Sequence, residues 1–398
     1  MTISKSYLRI SRAVSVNTGK RPLSLCSLIS HIIVLGGMPT LEAKLMKKLL
    51  KLNGIKRMPG VAENSNFESS NISPHFFSDS EAYKQLEEKK RKPYRYLYNL
   101  TTPRVKRKAF EKKADLEQQN QVAKCWEEFI TLYYSGKLQK FSLQPKKEFK
   151  DEKIIWQYWG QGTSEDKLPP SVQLYFRSVD KYAADYKVIR LDDSNIHEYL
   201  DLPNFVWHKK TYPGFRPAFF ADLLRLALLD VYGGVWLDAT IYLTDSLPNV
   251  LQDNGFFMYQ RATDAENKIQ WVSFNKNYFS WDKQHKINVL NSIIFAHKKD
   301  PVIHTCLDLI LNFWKTQEYI PHYFFFQILF DTLIKGDLAQ YQCPIIDDTL
   351  PHLLPAALHT PYNEADYQKI ISKSSIHKMS YVKDFKPGSY YEFLLQNT

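Results

Sequence analysis

The sequence predicts an α/β fold, because short apolar strands alternate with helices through its second half. A β-rich run from Ile154 to Trp159 precedes a helical pattern from Pro169 to Tyr182 and a second strand from Lys187 to Leu191. Ligands in such sheets bind at the carboxyl ends of the strands. Asp193 follows the second strand closely, so it is expected at that edge, where a role as a turn and helix-capping residue is the alternative.

The next predicted element is an apolar helix that begins at Pro217 and ends at the glycine pair Gly233 and Gly234. A short apolar strand follows the glycines and ends at Asp238. Further along, residues 288–296 have a strand pattern, residues 301–314 a helical one, and residues 323–333 form a Phe-rich helix that we interpret as core.

Two charged residues interrupt the apolar helix. Asp222 and Arg225 are three residues apart and therefore lie on one face of it. Burying such a pair costs several kcal/mol unless its members are hydrogen-bonded or meet a polar ligand. A ligand-binding face is one reading. A solvated face, with Asp238 as an ordinary turn residue, is the other.

Composition excludes several classes of protein. The chain has 398 residues, 44% of them hydrophobic, so it can bury a sizeable core. Its four cysteines lack CxxC spacing, which argues against a zinc site or a disulfide framework and favours a reducing cytoplasm. The most apolar N-terminal run, residues 23–38, is shorter than the ~20 residues that a bilayer requires.

The positive charge is concentrated in the N-terminal part. Residues 1–150 hold 29 Lys and Arg against 13 Asp and Glu, whereas residues 151–398 hold 24 against 29. An anionic partner is expected, either membrane phospholipid or an acidic polymer, with a solvated helical arm as the alternative. Nucleic acid is not expected, because no nucleic-acid-binding fold signature is present.

Helical patterns dominate residues 40–145. A basic amphipathic helix runs from about Thr40 to Lys51, a linker covers residues 59–80, and helices follow over 81–92 and 105–134, interrupted at Pro93 and Pro103. The end of the last helix has an apolar stripe that predicts docking on the core.

We therefore divide the chain into three parts. Residues 1–38 are a poorly defined segment, residues 39–150 a basic helical extension, and residues 151–398 the catalytic region. Met38 is an alternative start, because the amphipathic helix begins just after it.

The run from Ala221 to Arg225, with the run from Tyr232 to Thr240, resembles the signature of capsular polysaccharide synthesis glycosyltransferases. These are relatives of the DXD sugar-binding family that includes yeast mannosyltransferases and the glucosyltransferase domains of clostridial toxins. Other blocks agree in order: residues 153–162, 168–170, 191–193, 291–292 and 376–380. The resemblance covers roughly residues 150–385 and implies a GT-A-type, Rossmann-like core.

The resemblance also implies a catalytic set of Asp222, Arg225 and Asp238. Asp222 and Arg225 would bind the donor sugar and its phosphate, and Asp238 would be a ligand of Mn²⁺ or Mg²⁺, which prefer oxygen. Thr240 replaces the second carboxylate of a DXD motif, so water, the Thr240 hydroxyl or the late His377 would complete the metal shell.

The remaining donor contacts follow from the same resemblance. Ile155 and Trp156 would line the nucleotide pocket with Trp156 stacked on the base, although a core position is the alternative. Asp193 would contact the ribose or base, Asn291 or Ser292 the donor sugar or the acceptor, and Lys378 the diphosphate.

The function expected from these features is transfer of a hexose from a nucleoside diphosphate sugar, with UDP preferred, to a glycan or lipid-linked glycan of a capsule or lipopolysaccharide. Retention of configuration is implied by the resemblance alone. A cytoplasmic protein at the inner face of the membrane is expected. The alternatives are a catalytically inactive GT-A scaffold and a basic protein that binds an anionic polymer.

Overall fold

The structure, a computed structural model, describes residues 72–249 and 255–398. The predictions for residues 1–38, for the amphipathic helix 40–51 and for most of the linker lie outside these residues. All the described residues belong to one compact unit. Across the two described ranges, no helix is both long and apolar enough to cross a membrane.

A five-stranded sheet in the order β2-β1-β3-β6-β5 forms the centre of the described structure. Its strands are β1 Ile154–Tyr158, β2 Lys187–Leu191, β3 Gly234–Leu237, β5 Phe256–Gln260 and β6 Val289–Ala296. Strand β1 pairs in parallel with β2 and β3, whereas β6 pairs antiparallel with β3 and β5. This mixed sheet confirms the predicted α/β class. Strands β1, β2, β3 and β6 lie within two residues of their predicted bounds, whereas β5 was not predicted.

A second, two-stranded sheet pairs β4 (Ile241–Leu243) antiparallel with β7 (Ile376–Lys378). It brings a segment near the C-terminus beside the residues that follow β3. The register opposes Ile241 to Lys378 and Tyr242 to His377. This pairing is what places the late basic residue next to the carboxylate at the end of β3.

Helices cover the sheet. In the described ranges they are α1 Glu81–Lys90, α2 Tyr94–Thr101, α3 Arg104–Tyr134, α4 Pro170–Tyr182, α5 Asn204–Lys210, α6 Pro217–Tyr232, α7 Lys268–Phe274, α8 Pro301–Thr316, α9 Phe325–Lys335, α10 Leu353–Ala357, α11 Glu364–Lys373 and α12 Tyr390–Asn397. The predicted helix beginning at Pro217 is confirmed as α6. The segment between Pro93 and Pro103, predicted only as an interruption, forms α2.

Helix α6 ends where its glycines allow a sharp reversal. Gly233 and Gly234 have φ values of 70° and 99°, which side chains rarely adopt. A Cβ on Gly234 would lie 2.5 Å from the carbonyl oxygen of Ile154, so β3 can approach β1 only without a side chain there. After this turn the chain enters β3, the central strand of the five-stranded sheet.

The end of α3 packs on the core through aromatic rings. Trp126 lies 4.7 Å from Phe77 and 4.6 Å from Phe325 between ring centroids, and Phe313 of α8 is 5.9 Å away. All four side chains are buried. The predicted docking of this helix on the core is confirmed.

Candidate functional site

The candidate site begins where β3 ends. The backbone N–H of Asp238 donates to the carbonyl of Ser292 at 2.9 Å, which fixes the end of β3 against β6. The Asp238 Oδ1 atom accepts hydrogen bonds from Trp236 Nε1 at 2.8 Å and from Arg225 Nη2 at 3.2 Å. The carboxylate is therefore held at one oxygen by two donors.

Arg225 joins the two carboxylates of the predicted catalytic set. Its Nη1 atom lies 3.3 Å from Asp222 Oδ1 and donates to the Asn291 carbonyl, while Nη2 contacts Asp238. The guanidinium also lies 5.2 Å from the ring of Trp236. Each of its three nitrogens donates a hydrogen bond, and the side chain is buried. The charged face of α6 is therefore part of a polar cluster rather than a solvated surface.

Asn291 and Gln327 extend this cluster. Asn291 Nδ2 donates to Asp222 Oδ1 at 2.8 Å, and Gln327 Nε2 of α9 donates to Asn291 Oδ1 at 2.9 Å. Gln327 Oε1 is buried and accepts no hydrogen bond within the described part of the chain. The sequence analysis missed Gln327, although an amide in an otherwise Phe-rich helix was a usable signal.

Lys378 approaches the cluster from β7. Its Nζ atom lies 3.7 Å from Asp238 Oδ2 and donates to the hydroxyl of Thr240. Burial lowers the pKa of Lys378, and the nearby charge of Arg225 acts in the same direction, while Asp238 opposes the shift. Two cations thus lie beside one carboxylate at the end of β3.

The two carboxylates of the site differ in basicity. Burial raises the pKa of Asp222 to about 6, and the charge of Asp238 adds to the rise against the opposing effect of Arg225. Burial also acts to raise the pKa of Asp238, but Arg225 and Lys378 outweigh it and hold that pKa below its ordinary value. Asp238 stays ionised where Asp222 can take a proton.

The place predicted for His377 needs correction. His377 is fully buried, its Nε2 atom lies 3.1 Å from the hydroxyl of Thr244, and its Nδ1 atom has no partner within the described ranges. Successive side chains of a strand point to opposite faces, so His377 points away from the face that carries Lys378. The structure does not bring His377 to Asp238 and Thr240.

Trp156 and Ile155 also need correction, because both side chains are fully buried in the core. The ring of Trp156 packs against Tyr232 at 5.4 Å and Phe149 at 5.9 Å, and its Nε1 donates to the Gly233 carbonyl. A nucleotide base cannot stack on a ring that is already enclosed. The core alternative therefore describes Trp156.

Asp193 lies, as expected, just beyond the carboxyl end of β2. It accepts a hydrogen bond from the Tyr158 hydroxyl at 2.5 Å and pairs with Lys210 of α5. Its proposed contact with a ribose or base stays a prediction. The carboxylate of the neighbouring Asp192 accepts hydrogen bonds from the backbone N–H groups of Ser194 and Thr163, which is a turn-stabilising role.

Two exposed tyrosines stand at the edge of the cluster. Burial and the charges of Asp222 and Asp238 raise the pKa of Tyr323, and burial and Asp238 raise that of Tyr381 to about 12. Tyr381 lies 5.6 Å from the partly exposed ring of Trp159. The sequence analysis missed these rings, although Tyr381 directly follows the block of residues 376–380.

A groove with a cavity volume of about 1180 Å³ adjoins the site. Helices α1 and α3 form one wall, α7 and residues 275–282 form the other, and Tyr323 borders both the groove and the carboxylate cluster. Its lining mixes aromatic, apolar and charged side chains. Such mixed lining suits a polar ligand with apolar ring faces better than a purely apolar one.

The predicted metal ligands are only partly assembled. Asp238 and Thr240 lie together, but Lys378 lies between them, and the described residues contain no group of three His, Cys, Asp or Glu that could hold an ion. Mg²⁺ commonly binds through one carboxylate with substrate phosphates and water. The single carboxylate of Asp238 fits that mode and does not fit an all-protein metal cage.

Comparison with known proteins adds three findings. The family model described as "Capsular polysaccharide synthesis protein" matches residues 105–394. The chain is 25% identical over 182 residues to the O-glycosyltransferase braB of Annulohypoxylon truncatum, and this match spans 43% of the chain and 40% of that protein. The chain therefore spans about two fifths of the length of this curated relative. Among solved structures, the PaToxG glycosyltransferase matches with a TM-score of 0.29 and 15% identity over 63% of this chain and 92% of that one.

Proposed function

The chain belongs to the capsular polysaccharide synthesis protein family, and on this premise we propose that it transfers a hexose from a nucleoside diphosphate sugar to a glycan. The observation that carries the proposal is the cluster of Asp222, Arg225, Asp238 and Lys378 at the end of β3. A diphosphate leaving group gains negative charge, and fixed cations stabilise that charge. Arg225 and Lys378 supply them from two different elements.

The rest of the cluster supports recognition of the donor sugar. Asp222 and the free Oε1 of Gln327 are buried acceptors, and Asn291 connects their side chains. Acceptors of this kind bind sugar hydroxyls, and a sugar lacking one of the hydroxyls leaves them unpaired at a cost of about 1–3 kcal/mol. We assign the donor hexose to this side of the cluster and the diphosphate to Arg225 and Lys378.

A divalent ion is part of the proposal. Asp238 would hold Mg²⁺ or Mn²⁺ together with oxygens of the donor diphosphate. The Thr240 hydroxyl accepts a hydrogen bond from Lys378 and would keep that lysine beside Asp238. The ion would supply further positive charge to the leaving group. UDP as the nucleotide and retention of configuration rest on the family resemblance.

We propose that the acceptor glycan lies in the groove beside Tyr323. Val272 of α7 lines the groove, so Val272→Trp should narrow it without touching the cluster. With a lipid and glycan extract of the source cells as acceptor, labelled sugar transfer should fall about tenfold while donor hydrolysis stays unchanged. Ile345→Trp, at an exposed position outside the groove, is the matched control. Equal loss of transfer in both variants contradicts this assignment.

The test of the central proposal is a panel of nucleotide sugars, with Mn²⁺, with Mg²⁺ or with EDTA, read by thermal shift and by nucleotide release. One donor should stabilise the protein and be hydrolysed slowly, and Asp238→Asn should reduce release about 100-fold or more. Asp245→Asn, an exposed carboxylate, is the control. If no donor stabilises the protein or releases its nucleotide, the inactive scaffold is favoured. If nucleotide release in EDTA equals that with Mn²⁺, the metal ion is not part of the mechanism.

The family assignment and the excess of positive charge before residue 150 also support a cytoplasmic protein that works at the inner face of a membrane.

A further inference from the structure

Helix α2 exposes apolar side chains that nothing in the described structure covers. Tyr94, Tyr96, Leu97 and Leu100 are each more than 60% exposed, and Leu100 reaches 85%. Val105, the second residue of α3, is 80% exposed. No residue of α2 is buried. Single apolar residues are common on protein surfaces, but a contiguous cluster like this one marks a site of contact with an apolar partner.

Helix α2 contacts the rest of the protein along one narrow side. At 100° per residue, Arg95 and Asn99 share a narrow polar side, whereas the apolar residues occupy the rest of the circumference. Asn99 accepts a hydrogen bond from Arg107 of α3. Tyr98 is the one residue of α2 that is not exposed, whereas Arg95 and Asn99 are exposed. The helix therefore contacts the protein along its Tyr98 side and leaves its other apolar residues outward.

Positive charge surrounds the apolar residues. Residues 89–108 contain nine Lys and Arg and no Asp or Glu. They are Lys89, Lys90, Arg91, Lys92, Arg95, Arg104, Lys106, Arg107 and Lys108. Across the described part of the chain, none of them forms an ion pair, although the chain has 42 acidic residues. This basic apolar patch, residues 89–108, is thus uncompensated.

We propose that the basic apolar patch binds the surface of an anionic lipid bilayer. Each Lys or Arg near such a surface contributes favourable attraction, and Leu and Tyr side chains enter the boundary between headgroups and acyl chains. An acidic polymer would match the charge but leave the exposed apolar side chains without a partner. The short helix lies on the membrane and does not span it.

This inference gives the proposed membrane location a specific surface, and its test does not depend on transferase activity. The full chain is centrifuged with sucrose-loaded vesicles of phosphatidylcholine alone and of phosphatidylcholine with phosphatidylglycerol. Binding should occur only to the anionic vesicles. It should fall as salt rises, because screening shortens the range of the charges.

Two variants separate the apolar and basic parts of the patch. Leu97→Glu with Leu100→Glu should lower the vesicle partition coefficient about tenfold or more, and Arg91→Gln with Lys92→Gln should lower it on anionic vesicles by a similar factor. Ile345→Glu, an exposed apolar residue far along the chain, is the matched control and should bind as wild type. These positions are exposed, so thermal unfolding should not change.

Three results overturn the proposal. Equal binding by wild type and the Leu97/Leu100 variant places membrane affinity elsewhere, for instance in residues 1–71. Wild type that binds no vesicle, and whose mass in solution falls to that of a monomer only in the variant, shows that a second copy covers the patch. The proposal is also wrong if wild type and both variants bind anionic vesicles equally and added salt does not weaken that binding. Donor hydrolysis in each variant reports separately on the proposed function.

Discussion

At the scale of single residues, Arg225 decides the character of the site. Without Arg225, Asp222 and Asp238 would be two nearby carboxylates in a buried setting. Keeping both ionised would then cost free energy, because their like charges repel. With Arg225, the charge is shared and Asp238 remains an anion. Burial, with an additional effect of the Asp238 charge, still raises the pKa of Asp222. That residue is therefore where pH should act.

We expect donor hydrolysis to increase with pH through about 6, because Asp222 can accept hydrogen bonds at both oxygens only when ionised. Asp222→Asn should be slower and should lack the inflection. A pH profile of nucleotide release measures both, with Asp245→Asn as the control. A wild-type profile that is flat between pH 5 and 7.5 would contradict this role for Asp222.

The same shift has a consequence for stability. The folded state binds the Asp222 proton more tightly than the unfolded chain, whose carboxyl has a pKa of about 3.8. This group therefore favours the folded state below that value, and its contribution is lost as pH rises through about 6. Asp222→Asn should remove this part of the pH dependence of the free energy of unfolding.

At the scale of elements, the junction of α6 and β3 positions the site. Gly234→Ala should lower the free energy of unfolding by about 2 kcal/mol or more, because the residue has a φ of 99° and its Cβ would meet the Ile154 carbonyl. Gly136→Ala is the control: φ is 75°, but no atom lies within 4 Å of the added Cβ, so only about 1 kcal/mol should be lost.

Urea unfolding of the two glycine variants measures the difference. Because Gly234 precedes Asp238 by four residues, displacement of β3 should also reduce donor hydrolysis in Gly234→Ala and not in Gly136→Ala. Equal losses of stability in the two variants would show that the contact with Ile154 has no energetic weight.

The pairing of β4 with β7 is the second feature that positions the site. It carries Lys378 to Asp238 across 140 residues of sequence, and it turns His377 to the opposite face. A shift of the β4–β7 register by one residue would place His377 instead of Lys378 on the face beside Asp238, because side chains alternate along a strand. The choice between a lysine and a histidine beside Asp238 is therefore made by strand register.

At the scale of the whole molecule, the helical extension and the sheet share one aromatic core. Trp126→Ala should lower the free energy of unfolding by about 3–5 kcal/mol, since it removes a fully buried ring between Phe77 and Phe325. Tyr134→Ala, on an exposed ring of the same helix, should cost less than about 1 kcal/mol.

The number of steps in thermal unfolding tests whether the helical extension and the sheet unfold together. Shared packing predicts that Trp126→Ala unfolds in one transition, seen together by far-ultraviolet and near-ultraviolet circular dichroism. Two separated transitions would show that residues 72–150 unfold independently of the sheet, which would contradict the shared packing.

Much of the fold was predictable because its signals are local. Pro217 and the glycines fix the ends of α6, and runs of β-branched and aromatic residues mark β1, β2 and β6. Helical spacing placed Asp222 and Arg225 on one face, and the family resemblance implied that Asp238 joins them. α2 was missed, because the prolines on either side of it permit a helix as short as eight residues.

The sequence by itself thus determined the α/β class, the bounds of β1, β2, β3, β6 and α6, the shared face of Asp222 and Arg225, and the place of Asp238 at the end of a strand, since periodicity and backbone preferences act over a few residues. Only the tertiary structure decided that Trp156 is core, that Lys378 rather than His377 meets Asp238, and that Gln327 orients Asn291. Each depends on which face of a strand or helix meets an element far away in sequence. Local pattern carries no information about that choice, because packing between distant segments makes it.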